Sequence, residues 1–96
     1  MPLSNPSILY RMHAVQRMFE RKIALSSVSQ TVRSGETIED YSLDMLQPGR
    51  LILGFQGKRP LHVVVSEDPQ GGEISVITVY VPDPDRWDRQ FKSRRS

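Results

Sequence analysis

Between Ser7 and Arg21 the apolar residues Ile8, Met12, Ala14, Val15, Met18 and Phe19 recur at helical spacing. At about 100° per residue they share one broad face, which predicts a helix laid across a core. Val15, Met18 and Phe19 are expected to be buried, with His13, Arg17 and Arg21 forming an outward stripe at i, i+4 and i+8. Pro6 can open this helix, and Asn5 or Ser4 can cap it. A second, shorter helix is predicted to start at the N-cap Ser26 and carry Val28 and Val32. Gly35 stands where a left-handed C-cap would end it.

After Gly35 the period shortens to two. Thr37 to Tyr41 reads as an edge strand with a polar face, and Ser42 to Gly49 as a loop. Arg50 to Gln56 is a strand with Leu51, Leu53 and Phe55 on one face. Gly57-Lys58 and Arg59-Pro60 give a tight turn into a strand over Leu61 to Glu67. Asp68 to Gly72 is a second hairpin loop. Glu73 to Val81 is the most apolar strand and is expected in the sheet interior. Pro82 and Pro84 then end sheet pairing. Helix, helix and four closely linked strands predict an α+β fold, with two N-terminal helices on one face of a four-stranded antiparallel sheet. Residues 1–6 read as an extension, 7–88 as one domain, and 89–96 as a basic tail with Trp87 its last anchor.

The chain has 96 residues, enough for one core. It contains no cysteine, which excludes disulfides, zinc–thiolate sites and cysteine nucleophiles. Met1 to Pro6 has no basic region leading into an apolar stretch, and no apolar run is long enough to span a bilayer. A cytoplasmic protein without a membrane partner is therefore expected. Net charge is only +2, but it is segregated. Arg11, Arg17, Arg21, Lys22 and Arg33 face Glu20 alone in the first third. Glu36, Glu39, Asp40 and Asp44 follow without a base. Arg86, Arg89, Lys92, Arg94 and Arg95 face only Asp88 at the end. Two basic regions of this kind attract phosphate at close range.

Strand alternation sorts the polar groups that carry chemistry. If Ser75, Ile77, Val79 and Val81 face the helices, Thr78 and Tyr80 lie on the opposite face, and His62 comes near them in some of the cross-strand registers that the sequence leaves open. An imidazole, a phenol and a hydroxyl together suit acid–base work on an RNA phosphodiester. Half-buried sheet residues with satisfied hydrogen bonds would give the same pattern. Arg17 and Arg21 can clamp a phosphate, aided by His13; equally, they can form a solvated face offset by Glu20. Trp87 and Phe91 interleave with Arg86, Arg89, Lys92, Arg94 and Arg95, a pattern that stacks on unpaired bases or docks the tail on the core. The two histidines lack HxxE or HxH spacing, so neither a metal nor any other cofactor is expected. No nucleophile elbow supports a Ser-His-Asp triad, and the glycines follow no phosphate-loop spacing.

Four segments carry a resemblance. They are His13-Ala14-x-x-Arg17-Met18-x-Glu20-Arg21-x-Ile23, Gly35-Glu36-x-Ile38-Glu39-Asp40-Tyr41, Leu61-His62-Val63-Val64, and Ile77-Thr78-Val79-Tyr80-x-Pro82-Asp83-x-x-x-Trp87. Together they resemble a small bacterial family filed as domain of unknown function 4258, over about residues 9–88. That family is similar in architecture to the RelE/ParE and BrnT toxins, many of which cleave RNA. The resemblance implies a RelE-like fold and singles out His13, Arg17, Arg21, Tyr41, His62, Thr78 and Tyr80 as its polar positions. The expected function is a toxin-like RNA-binding or RNA-cleaving domain of a toxin–antitoxin type system. In it His62 or His13 moves protons, Tyr80 and Thr78 position the 2′-hydroxyl, and Arg17, Arg21, Arg86 and Arg89 hold nucleic acid. RNA and an antitoxin are the expected partners. The alternative is a non-enzymatic protein-interaction module, and the first strand offers an edge for a dimer.

Overall fold

The computed structural model describes residues 7–41, 49–68 and 72–95. Its elements run β1 (Ser7–Tyr10), α1 (Met12–Arg21), α2 (Leu25–Ser34), β2 (Glu36–Asp40), β3 (Gly49–Gln56), β4 (Arg59–Glu67) and β5 (Glu73–Tyr80). They form one five-stranded sheet in the order β1-β5-β4-β3-β2. β2 to β5 pair antiparallel, whereas β1 pairs parallel to β5, with Ser7 opposite Glu73 and Tyr10 opposite Val76. The sheet is therefore mixed and five-stranded, not the four-stranded antiparallel sheet expected, although the class remains α+β.

The difference lies in Ser7 to Tyr10, read above as the first turn of the helix. Ile8 and Tyr10 pack against the core on one side, while Leu9 points away and is exposed. The Arg11 N–H extends the pairing to the Val76 carbonyl at 3.1 Å. β5 thus gains a neighbour on each side, as its apolar composition demands. α1 starts only at Met12, after an extended Arg11 whose side chain makes no cap. The expected caps Ser4, Asn5 and Pro6 lie outside the described residues, as do most of the two predicted loops.

The one-residue link from β1 fixes how α1 is rotated. Ala14 and Met18 meet the sheet, Ala14 fully buried because it has no side chain to hold the helix off. Val15 and Phe19, expected in the core, are instead exposed, Phe19 to 87%. The apolar arc of α1 is wider than the sector that β5 can cover. At its end Lys22 takes a left-handed conformation (φ 56°). The Ile23 N–H reaches the Met18 carbonyl at 2.8 Å and the Lys22 N–H reaches that of Phe19 at 3.3 Å, a Schellman cap sealed by buried Ile23 against Met18. Gln56 and Arg59, from the β3–β4 hairpin, bond the free carbonyls of this junction: Gln56 Nε2 donates to Lys22, and Arg59 donates to Arg21 and Lys22.

α2 is capped by Ala24, not Ser26; its N–H donates to Gln56 Oε1 at 2.7 Å. Gly35 is extended (φ −73°) where a left-handed cap was expected. It is glycine because of crowding: a Cβ there would stand 2.5 Å from the Thr31 carbonyl oxygen. Both helices cover one sheet face, burying Val28 and Val32 of α2 with Ile52, Leu61, Val63, Val65, Val76 and Val79. A bulge between Val64 and Val65 shifts the β5 register, so Ile74 and Val76 join Val79 on the helix side, in place of Ser75 and Ile77. No helix among the described residues is long and apolar enough to cross a membrane.

Candidate functional site

The sheet face away from the helices presents a straight row of paired positions: Tyr80 opposite His62, His62 opposite Leu53, and Leu53 opposite Glu36. Residues 82–95 fold back over this row. Trp87 is buried against it, its ring edge-on to His62 with centroids 4.4 Å apart, and it bridges to Arg94 in the returning chain. Asp88 orders the turn by accepting the backbone N–H groups of Gln90 and Lys92, which holds its carboxyl below the usual range. The turn lets Phe91 adopt φ 61° and aim its carbonyl at the sheet.

That carbonyl accepts from His62 Nε2 at 2.8 Å. The tautomer is then set, and His62 Nδ1 accepts from the Tyr80 hydroxyl at 3.2 Å. His62 has no solvent exposure. Burial pushes its pKa down, partly opposed by the Phe91 hydrogen bond, so the ring is held neutral. Burial likewise raises the pKa of Tyr80 and keeps the phenol protonated. With its proton committed to His62, the Tyr80 oxygen keeps acceptor capacity for a further donor.

A cavity of about 290 Å³ is lined by Tyr80, Val81, Asp83, Arg86, Trp87 and Arg94. The Arg94 guanidinium sits 4.7 Å from the Trp87 ring centroid and grips Glu39 through two bonds of 2.9 and 3.1 Å. That grip holds the Glu39 carboxyl below its usual range; Tyr41 also donates to Glu39, and burial followed by this bond pushes the phenol up to about 12. Arg86 makes no ion pair among the described residues.

Of the residues singled out above, His62, Tyr80 and Thr78 share this face, and Arg86 joins Tyr80 at the cavity. Thr78 pairs with Val64, one same-face position along from Tyr80. Arg89 is exposed on the tail turn and does not line the cavity. His13, Arg17 and Arg21 are exposed on α1, in the opposite layer, and Arg17 is bonded to Glu20 at 3.2 Å. The structure therefore separates the α1 stripe from the His62 row by the thickness of the sheet. In sequence Arg94 reads only as one cation of the basic tail and Asp83 only as part of the Tyr80-x-Pro82-Asp83 segment, neither as a site residue. The chain reversal that brings Arg94 back to Trp87 is set by Asp88 and by the His62–Phe91 bond.

Fold and site define a small α+β domain with an aromatic-lined sheet face on which Arg86 and Arg94 stand beside Asp83 and Glu39. The model of the family described as Domain of unknown function (DUF4258) matches residues 10–81, and the chain belongs to that family. No curated protein and no solved structure gives a match.

Proposed function

We propose that this chain is an RNA-binding domain of the toxin-like class, holding single-stranded RNA on the tail-covered sheet face. One observation supports it: Arg86, which makes no ion pair among the described residues, lines a cavity together with Tyr80, whose proton is committed to His62, beside Asp83, Trp87 and the Glu39-bound Arg94. Guanidinium groups suit the phosphate, and an acceptor beside them suits the ribose 2′-hydroxyl, the group that separates RNA from DNA. Cleavage near neutral pH needs a base for that hydroxyl proton. Both ring nitrogens of His62 are engaged, Nδ1 by the Tyr80 hydroxyl and Nε2 on the Phe91 carbonyl, and the ring does not line the cavity, so the row positions the 2′-hydroxyl and does not take its proton. Binding is the function this geometry supports best. The kinship with RelE/ParE and BrnT toxins is part of this proposal.

Fluorescence anisotropy with matched single-stranded RNA and DNA at about 50 mM salt tests it. RNA is expected to bind more tightly, Arg86→Ala to weaken both by about ten-fold, and Tyr80→Phe to erase the preference for RNA. RNA that does not bind at this salt overturns the proposal. Growth arrest and RNA decay on expression of the chain without its neighbouring gene would add cleavage to it.

A specific observation favours the second reading, a protein-interaction module. Met12, Val15 and Phe19 form an exposed apolar stripe on α1 at i, i+3 and i+7, with Leu25 also exposed nearby in sequence. Helix-in-groove partners, an antitoxin among them, use such spacing. Co-purification with the product of a neighbouring gene that is lost in Phe19→Asp would support it.

A further inference from the structure

The Tyr80–His62–Leu53–Glu36 row ends in a second, larger opening. β2 is short and its pairing with β3 stops at Glu36 opposite Leu53, so β3 runs on unpaired on that side through Gly54 and Phe55. The end of α2, the open stretch of β3 and the returning tail enclose a cleft of about 550 Å³, lined among others by Gln30, Ser34, Phe55, Gln90 and Lys92. Phe55 is 51% exposed there, a large aromatic surface left half in water. The side-chain amides of Gln30 and Gln90 make no hydrogen bond among the described residues. Lys92 is held at the rim by Glu36 at 3.1 Å.

We propose that this cleft takes one unpaired nucleobase of the RNA strand whose phosphate sits between Arg86 and Arg94; this rests on the RNA-binding reading above. An exposed aromatic face supplies stacking, which is tolerant of base identity. Two side-chain amides supply donors and acceptors for a base edge. The cleft is large enough for a base together with its sugar. Placement fits as well: Tyr80 at one opening and Leu53 at the other lie on the same row, two strand spacings or about 10 Å apart. The tail between them, carrying Trp87 and Arg94 toward one opening and Gln90 and Lys92 toward the other, forms the ridge that the strand crosses.

The test compares a fluorescein-labelled single-stranded RNA octamer with the same octamer carrying abasic sites. Phe55→Ala is expected to weaken the intact octamer about ten-fold and leave the abasic one unchanged, while Phe55→Tyr retains affinity. Arg86→Ala is expected to weaken both. Circular dichroism checks that the Phe55 variants fold, which their exposure favours. If the intact octamer binds and Phe55→Ala has no effect, or weakens both RNAs equally, the base cleft is overturned and the RNA-binding reading stands. If neither octamer binds the unaltered protein, both fall.

Discussion

His62 is engaged at both ring nitrogens, by Tyr80 of the sheet at Nδ1 and by the Phe91 carbonyl of the tail at Nε2. Removing the ring leaves a buried void and a carbonyl without its donor, so His62→Ala is expected to cost about 2–4 kcal/mol in urea unfolding. The pH dependence follows from its depressed pKa. Unfolded, the ring binds a proton near its ordinary value of 6.5; folded, it does so only at lower pH. The stabilisation is complete above about pH 6.5 and is lost as pH falls through the folded value. Glu39, also depressed, adds a second loss below its ordinary 4.5. A stability profile from about pH 8 to about pH 2 should fall in both windows, and His62→Gln should flatten the upper one only. A stability that rises on acidification through pH 6 would mean that the His62 site favours the charged ring.

At the level of elements, the close approach of α2 to β3 is the most sensitive contact. A Cβ on Gly54 would lie 1.9 Å from Thr31 Oγ1, inside the shell of a fixed helix side chain. Gly54→Ala is expected to destabilise by about 2–4 kcal/mol, read as a fall in melting temperature. Lys22→Gly should do the reverse by roughly 0.5 kcal/mol, because it relieves a left-handed conformation at an exposed cap. Much of this architecture was legible in sequence. Period-two alternation placed β3, β4 and β5 within a residue or two, and put His62, Thr78 and Tyr80 on one face. Ser7 to Tyr10 was not legible as a strand: four residues satisfy either period, and Ile8 lies in phase with the helix that follows. The one available signal was β5 itself, too apolar to be left at a sheet edge. The rotation of α1 was hidden for a related reason. Its apolar arc includes both Met18 and Phe19, and only the link to β1 decides which is covered.

Across the whole molecule, opposite charges meet on the tail-covered face. The acids of β2 bind the tail, Glu36 with Lys92 and Glu39 with Arg94, so the acidic and basic segments of the sequence meet as a clasp. The Glu39 contact is bidentate but its arginine is largely exposed, and Glu39→Gln is expected to cost only about 0.5–1 kcal/mol, less at high salt. The site was half legible: residue types at Tyr80 and Arg86 announced it, whereas Arg94 arrives through a tail fold that no local pattern encodes. The α1 cations, equally prominent in sequence, lie across the sheet from it. Both basic regions attract polyanions, so the account turns on which face RNA occupies. Amide and indole NMR shifts, recorded as unlabelled single-stranded RNA is added to the ¹⁵N-labelled protein at low salt, read this directly. The account predicts the largest changes at Tyr80, Arg86, Arg94 and the Trp87 indole, with α1 little affected. Changes confined to His13, Arg17 and Arg21 on α1, or no changes at all, would contradict it.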